Sequence, residues 1–141
     1  MRRSGEIIII EDDEDDRLLL NDIFDILDYP NKIVFFEDPT QVETYLSDPD
    51  VSPFMILSDI NMPKMDGYEL RNKILANKDL CEKCVPYIFL STSKDPQNIA
   101  KAYSCQVHGY FKKGDDFESL KKMIQNIVEY WRTSLTPKSV V

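Results

Sequence analysis

Ile7-Ile8-Ile9-Ile10-Glu11-Asp12 sets four β-branched apolar residues directly before two acids. A short apolar run with no polar alternation reads as a strand covered on both faces, the habit of a parallel sheet. The same design recurs downstream. Ile33-Val34-Phe35-Phe36, Phe54-Met55-Ile56-Leu57-Ser58-Asp59, Tyr87-Ile88-Phe89-Leu90 and Gly109-Tyr110-Phe111-Lys112 are four further apolar runs, read as strands two to five.

Helical spacing fills the intervals. Leu18, Leu19, Leu20, Ile23, Phe24, Ile26 and Leu27 lie opposite Asn21, Asp22, Asp25 and Asp28, and Tyr29-Pro30-Asn31 ends that helix. Asp38-Pro39 and Asp95-Pro96 each pair an N-cap with proline at the first helical position. The helix after Asp38 carries Val42, Tyr45 and Leu46 and breaks at Ser47-Asp48-Pro49; the one after Asp95 carries Ile99, Ala102 and Tyr103. A loop through Pro63 and Gly67 leads to a helix with Leu70, Ile74 and Leu75. Asp115-x-x-Glu118 resembles a capping box for a last helix with Phe117, Leu120, Ile124, Ile127, Val128 and Trp131.

Five strands alternating with five helices predict an α/β fold: a flavodoxin-like, doubly wound, five-stranded parallel sheet of order 2-1-3-4-5 with helices on both faces. The topological switch point then lies between the first and third strands, and ligands bind there, beyond the strands' carboxyl ends. Residues 1–132 form one domain in this reading, and residues 133–141, which lack a helical pattern, form a flexible tail.

The 141 residues suit one core, and the formal net charge of −8 disfavours nucleic acid as a partner. No apolar run approaches the roughly 20 residues of a membrane helix, and no apolar segment with a cleavage site follows Met1-Arg2-Arg3-Ser4-Gly5. A cytoplasmic protein is expected. Cysteines 81, 84 and 105 are too few and too odd for a disulfide framework. A zinc site on Cys81-Glu82-Lys83-Cys84 would have only Cys105 and His108 as further ligands. The motif also precedes a strand rather than opening a helix after one, so it reads as a connecting loop.

The chemistry gathers at strand ends. Strand one ends in Glu11 and Asp12, strand three in Asp59, strand four in Ser91, and strand five leads into Lys113. A parallel sheet brings these ends to one edge. Three carboxylates in one pocket repel one another, and a divalent cation with oxygen ligands relieves that repulsion; Mg²⁺ suits the set. Asp59 suits a nucleophile toward phosphorus, with Lys113 and Ser91 available to phosphoryl oxygens. Taken singly these residues have ordinary readings. Asp59 would serve as a helix cap, although Pro63 and Gly67 delay the helix; the Glu11–Asp16 acids would serve as a solvated loop; serines and lysines are common in surface turns. The combination in this strand order is what carries specificity.

Ile7-Ile8-Ile9-Ile10-Glu11-Asp12-Asp13, Leu57-Ser58-Asp59-Ile60-Asn61-Met62-Pro63-Lys64-Met65-Asp66-Gly67, Leu90-Ser91-Thr92-Ser93 and Gly109-Tyr110-Phe111-Lys112-Lys113 resemble the receiver domains of response regulators in two-component phosphorelays. The likeness runs from about Glu6 to Trp131. It implies Asp59 as phosphoacceptor, with Ser91 and Lys113 contacting the phosphoryl group. It implies Mg²⁺ held by Asp12, Asp59 and the Asn61 carbonyl, with Glu11 acting through water. Ser91 and Tyr110 match switch positions, Asn61 and Ser93 match positions that tune dephosphorylation, and Pro63 and Gly67 shape the loop after Asp59. The implied partners are a sensor histidine kinase or histidine phosphotransfer protein, and a downstream protein met through the fourth helix, fifth strand and last helix (residues 95 to 131, α4–β5–α5 in a five-helix count). The resemblance also admits a homodimer.

Two departures stand out. Gly114 follows Lys113 where the family usually has proline, so a trans bond is expected there. Glu11 replaces the usual first Asp, and the acidic run resembles small regulators associated with phytochrome-type or other hybrid kinases. No output domain follows Trp131, so a stand-alone, single-domain regulator that turns over no external metabolite is expected. A haloacid-dehalogenase-type enzyme would need a second Asp two residues after the nucleophile, where Asn61 stands. A degenerate receiver would be expected to have lost several of the acids, Ser91 or Lys113.

Overall fold

In the computed structural model, residues 5–114 and 116–140 are described. Strands β1 (Ile7–Ile10), β2 (Ile33–Phe36), β3 (Met55–Ser58), β4 (Tyr87–Ser91) and β5 (Gly109–Lys112) form one parallel sheet of order β2-β1-β3-β4-β5. The expected topology is met. The helices are α1 (Glu14–Leu27), α2 (Val42–Leu46), α3 (Gly67–Leu75), α4 (Lys78–Lys83), α5 (Pro96–Ser104) and α6 (Phe117–Thr133).

The pleat explains why the strands tolerate no polar alternation. Ile8 and Ile10 of β1, Ile56 of β3, and Tyr87 and Phe89 of β4 enter one core, shared with buried residues of α2, α3, α4 and α5. Ile7 and Ile9, Met55 and Leu57, and Ile88 and Leu90 enter a second core, beneath Leu20, Ile23 and Phe24 of α1 and Leu120, Ile124, Ile127 and Val128 of α6. Side chains alternate between faces, and both faces are covered, so every central position is apolar.

Several local expectations change. The acidic run is loop only through Asp13, which caps α1 by accepting from the Asp16 N–H at 2.9 Å. Glu14, Asp15 and Asp16 form the helix's first turn, where exposed amide N–H groups and the macrodipole favour anions. The Cys81–Cys84 segment is not a loop. Asn77 caps α4, Leu80 anchors it in the core, and Cys84 is its C-cap, so the described residues hold six α-helices rather than five. Asp115, the expected cap of the last helix, lies outside the described residues; Asp116 caps α6, accepting from both the N–H (2.8 Å) and the hydroxyl (3.0 Å) of Ser119. The expected flexible tail is docked in part. Pro137–Val140 forms a 3-10 turn, and the buried Lys138 ammonium donates to the carbonyls of Pro53 (2.7 Å) and Phe54 (3.3 Å) just before β3.

At the amino-end of the sheet Arg71 of α3 is 1% exposed. It donates from Nε to the Cys105 carbonyl (3.1 Å) and from Nη2 to the Gln106 carbonyl (2.8 Å), and its guanidinium lies 4.8 Å from the Tyr87 ring centroid. It therefore satisfies carbonyls where α5 ends and the chain turns, with Gln106 at φ 55°. Arg71→Ala is expected to cost about 3 kcal/mol of unfolding free energy, by cavity formation and by stranding those carbonyls. Urea unfolding measures it; a loss within experimental error of zero contradicts the role.

Candidate functional site

The β1–β3 pairing aligns Ile10 with Ser58, and the Asp59 N–H donates to the Ile10 carbonyl at 2.9 Å. The residues that follow each strand, Glu11 and Asp12 on one side and Asp59 on the other, are thereby brought together. Carboxylate oxygens of Glu11, Asp12 and Asp59 all lie within 4.8 Å of one another. Three hard oxygen donors at that spacing fit a divalent cation such as Mg²⁺ or Mn²⁺, with room for other ligands.

Lys113 faces this cluster from the end of β5. Its N–H donates to the Ser91 carbonyl at 2.7 Å, which continues the β4–β5 ladder by one residue. Its ammonium lies 2.6 Å from Glu11 Oε1, 3.0 Å from Asp16 Oδ2 and 3.8 Å from Asp59 Oδ1. Among the described residues the cis peptide bond is Val85–Pro86, and Lys113–Gly114 is trans as expected. Glycine in place of proline has not turned the lysine away.

Burial governs the charges. Glu11 is 2% exposed, and desolvation pushes its carboxyl up to about 8 against the pull of Lys113. Asp59 is also raised, first by desolvation, with Lys113 opposing. Lys113 is raised as well: although burial disfavours its charge, Glu11 and Asp59 hold its proton more tightly than usual.

The loops are held by groups outside the cluster. Arg17 Nη1 donates to the carbonyls of Glu11 (2.9 Å) and Asp12 (2.8 Å), and Nη2 pairs with Glu37 at 3.2 Å. Sequence reading missed Arg17 and Asp16; the single cation directly after six acids was the available signal. After Asp59, the Gly67 N–H donates to the Ile60 carbonyl at 2.7 Å. A Cβ on Gly67 would lie 2.5 Å from the Asp59 carbonyl oxygen and 2.9 Å from Ile60 Cα, so only glycine lets α3 begin this close to Asp59.

The other expected residues lie around this centre. Ser91 is buried at the last position of β4, and its hydroxyl oxygen accepts the Ser93 N–H at 3.2 Å. The Ser93 hydroxyl oxygen accepts from the Asp95 N–H (3.1 Å) and from Asn98 Nδ2 (2.9 Å). Tyr110 is half-buried, and its hydroxyl donates to the Ser93 carbonyl at 2.8 Å. Asn61 is exposed on the loop after Asp59.

Residues 7–125 match the response regulator receiver domain family. The chain is 30% identical over 129 residues to the probable methanogenesis regulatory protein FilR2 of Methanothrix harundinacea (strain 6Ac), covering 89% of this chain and 82% of that one. It is 27% identical over 135 residues to the response regulator Rcp1 of Synechocystis sp. (strain ATCC 27184 / PCC 6803 / Kazusa), covering 92% and 90%. The crystal structure of a Mn²⁺-bound form of Rcp1 superposes with a TM-score of 0.80 at 26% identity, covering 94% of this chain and 97% of that one. The crystal structure of the phosphorylated cyanobacterial phytochrome response regulator RcpA superposes with a TM-score of 0.82 at 27% identity, covering 94% and 96%.

Two outcomes are expected of this site. Gly67→Ala should destabilise the fold by about 2 kcal/mol, because backbone rather than a flexible side chain must yield, and should weaken divalent-ion binding; unchanged urea midpoint and affinity would contradict the steric argument. The second concerns pH. Folded Glu11 keeps a proton up to about 8, whereas the unfolded chain releases it near 4.5. The folded state binds more protons across that window, so without divalent ions stability should fall as pH rises through it. Lys113 is charged in both states there and adds no slope. Mg²⁺, which needs ionised carboxylates, should stabilise most at the alkaline end. Melting temperatures with chelator and with Mg²⁺ across that range test this, and parallel curves would contradict it.

Proposed function

The chain belongs to the response regulator receiver domain family of two-component signalling, and from that premise we propose that Asp59 accepts a phosphoryl group in a Mg²⁺-dependent reaction. The observation that supports this most is the Lys113 ammonium facing the Glu11, Asp12 and Asp59 carboxylates. A lysine beside a divalent-cation site can neutralise one further anion, and in this reading a phosphoryl group on Asp59 is that anion.

In this reading Asp12 and Asp59 would hold the ion, with the Asn61 carbonyl as a further ligand and Glu11 acting through water. The bound ion supplies charge neutralisation for phosphoryl oxygens. Ionised Asp59 attacks phosphorus through one carboxylate oxygen as the P–N bond of a phosphohistidine breaks. An acyl phosphate forms, and the imidazole leaves with its electron pair and takes a proton. The donor is a sensor histidine kinase or a histidine phosphotransfer protein. Lys113 pairs with one phosphoryl oxygen and the Ser91 hydroxyl donates to another.

The Ser91 turn has a consequence at Tyr110. Its hydroxyl oxygen holds the Ser93 N–H, and the Ser93 carbonyl holds the Tyr110 hydroxyl. Movement of Ser91 toward the phosphoryl group disturbs the first bond and, through Ser93, the second. The signal then reaches the α5–β5–α6 face around residues 95 to 131, where Tyr103 and Tyr130 are exposed and a downstream protein or a second copy would dock. Asn61 and Ser93 border the path of a hydrolytic water and set the phosphoryl lifetime. The chain acts only on its own acyl phosphate and on no external metabolite. No described helix is long and apolar enough to cross a membrane, and a cytoplasmic location suits a kinase-linked module.

Incubation with acetyl phosphate and Mg²⁺, read by intact mass, is expected to add one phosphoryl group to the wild type and none to Asp59→Ala. Ser91→Ala should slow uptake by about ten- to a hundred-fold through loss of one donor to the developing charge. A wild type that gains no mass would overturn the reading.

A further inference from the structure

We propose, resting on the phosphoacceptor reading above, that Asp16 is a positioning residue for Lys113: its carboxylate fixes the ammonium so that one N–H remains aimed at a phosphoryl group on Asp59. Asp16 does not belong to the metal-binding group, which is Glu11, Asp12 and Asp59 among the described residues. It sits in the first turn of α1, with its own N–H held by Asp13 Oδ2 at 2.9 Å. Its side chain is therefore carried on a helix, not on the loop after β1 that carries Glu11.

An ammonium has three N–H groups. One meets Glu11 Oε1 at 2.6 Å and one meets Asp16 Oδ2 at 3.0 Å. Asp59 Oδ1, at 3.8 Å, is within ion-pair reach but beyond a hydrogen bond. The free donor thus belongs to the Asp59 side, where a phosphoryl oxygen would come to lie.

A second anchor matters to Lys113 because its mostly buried side chain has open space on one side. A cleft of about 240 Å³ adjoins it, lined among others by Asp16, Leu90, Thr92, Gly114 and Leu120. Held by Glu11 alone, the long lysine side chain can pivot about one bond into the cleft. Glu11 would also share its carboxylate, through water, with the metal ion, which leaves Asp16 as the anchor that serves the lysine alone.

A double-mutant cycle tests this, with the rate of phosphoryl uptake from acetyl phosphate at saturating Mg²⁺ as one readout and the Mg²⁺ dissociation constant as the other. Asp16→Ala is expected to slow uptake about ten-fold, the scale of losing one positioning contact, with Mg²⁺ affinity and melting temperature close to wild type. Asp16→Asn, which keeps an acceptor oxygen, should recover part of the rate. In a Lys113→Ala background Asp16→Ala should cost nothing further, because its effect passes through the lysine. An equal slowing in that background, or a loss of Mg²⁺ affinity matching the loss of rate, would overturn the proposal. Wild-type uptake with an Asp16→Ala chain that keeps pace defeats this inference alone, whereas a wild type that takes up no phosphoryl group defeats the phosphoacceptor reading and this one with it.

Discussion

The buried pair of Glu11 and Lys113 is the interaction on which the site depends. Their 2.6 Å contact joins the end of β1 to the end of β5, with β3 and β4 between them. Glu11 is 2% exposed and the Lys113 side chain 13%, so both have given up most of their water. Such a pair has little net stabilising value against an apolar replacement, and removing one partner strands the other. Its presence at the carboxyl edge of an otherwise apolar sheet is better explained by chemistry than by folding: the strands below it bury side chains, while the residues just beyond them carry charge.

That placement is expensive in electrostatic terms. Glu11 and Asp59 are both held above the ordinary carboxylate range, chiefly by desolvation, and Lys113 offsets only part of the strain. A site tuned in this way favours whichever cation relieves it. The scaffold keeps it from collapsing by fixing the loops through backbone atoms. Arg17 grips the carbonyls of Glu11 and Asp12, and Gly67 lets the start of α3 press against the carbonyl of Asp59. Neither side chain belongs to the acidic cluster, yet both determine where its carboxylates sit.

The opposite end of the molecule shows the same economy with different parts. Arg71 is buried to satisfy carbonyls where α5 ends, and Lys138 reaches in from the carboxyl-terminal segment to satisfy two more before β3. Both use long cationic side chains to close gaps that main chain alone leaves open. Neither role was legible beforehand. An arginine within a helix and a lysine near the chain end look like surface residues until the elements they reach are placed beside them.

Five apolar runs, each ending at a polar residue, were enough to specify a parallel doubly wound sheet, because a strand covered on both faces cannot alternate. The order of those endings was enough to bring Glu11, Asp12, Asp59, Ser91 and Lys113 to one edge. Caps and short helices were less legible: Asp116 rather than Asp115 starts α6, and Asn77 with Leu80 makes a helix of the Cys81 segment, since a six-residue helix has too few residues to display a period. Tertiary structure alone decided that Lys113 divides its donors between Glu11 and Asp16. Sequence spacing encodes which strand end a residue occupies; the distance between charges on different elements is set by how those elements pack.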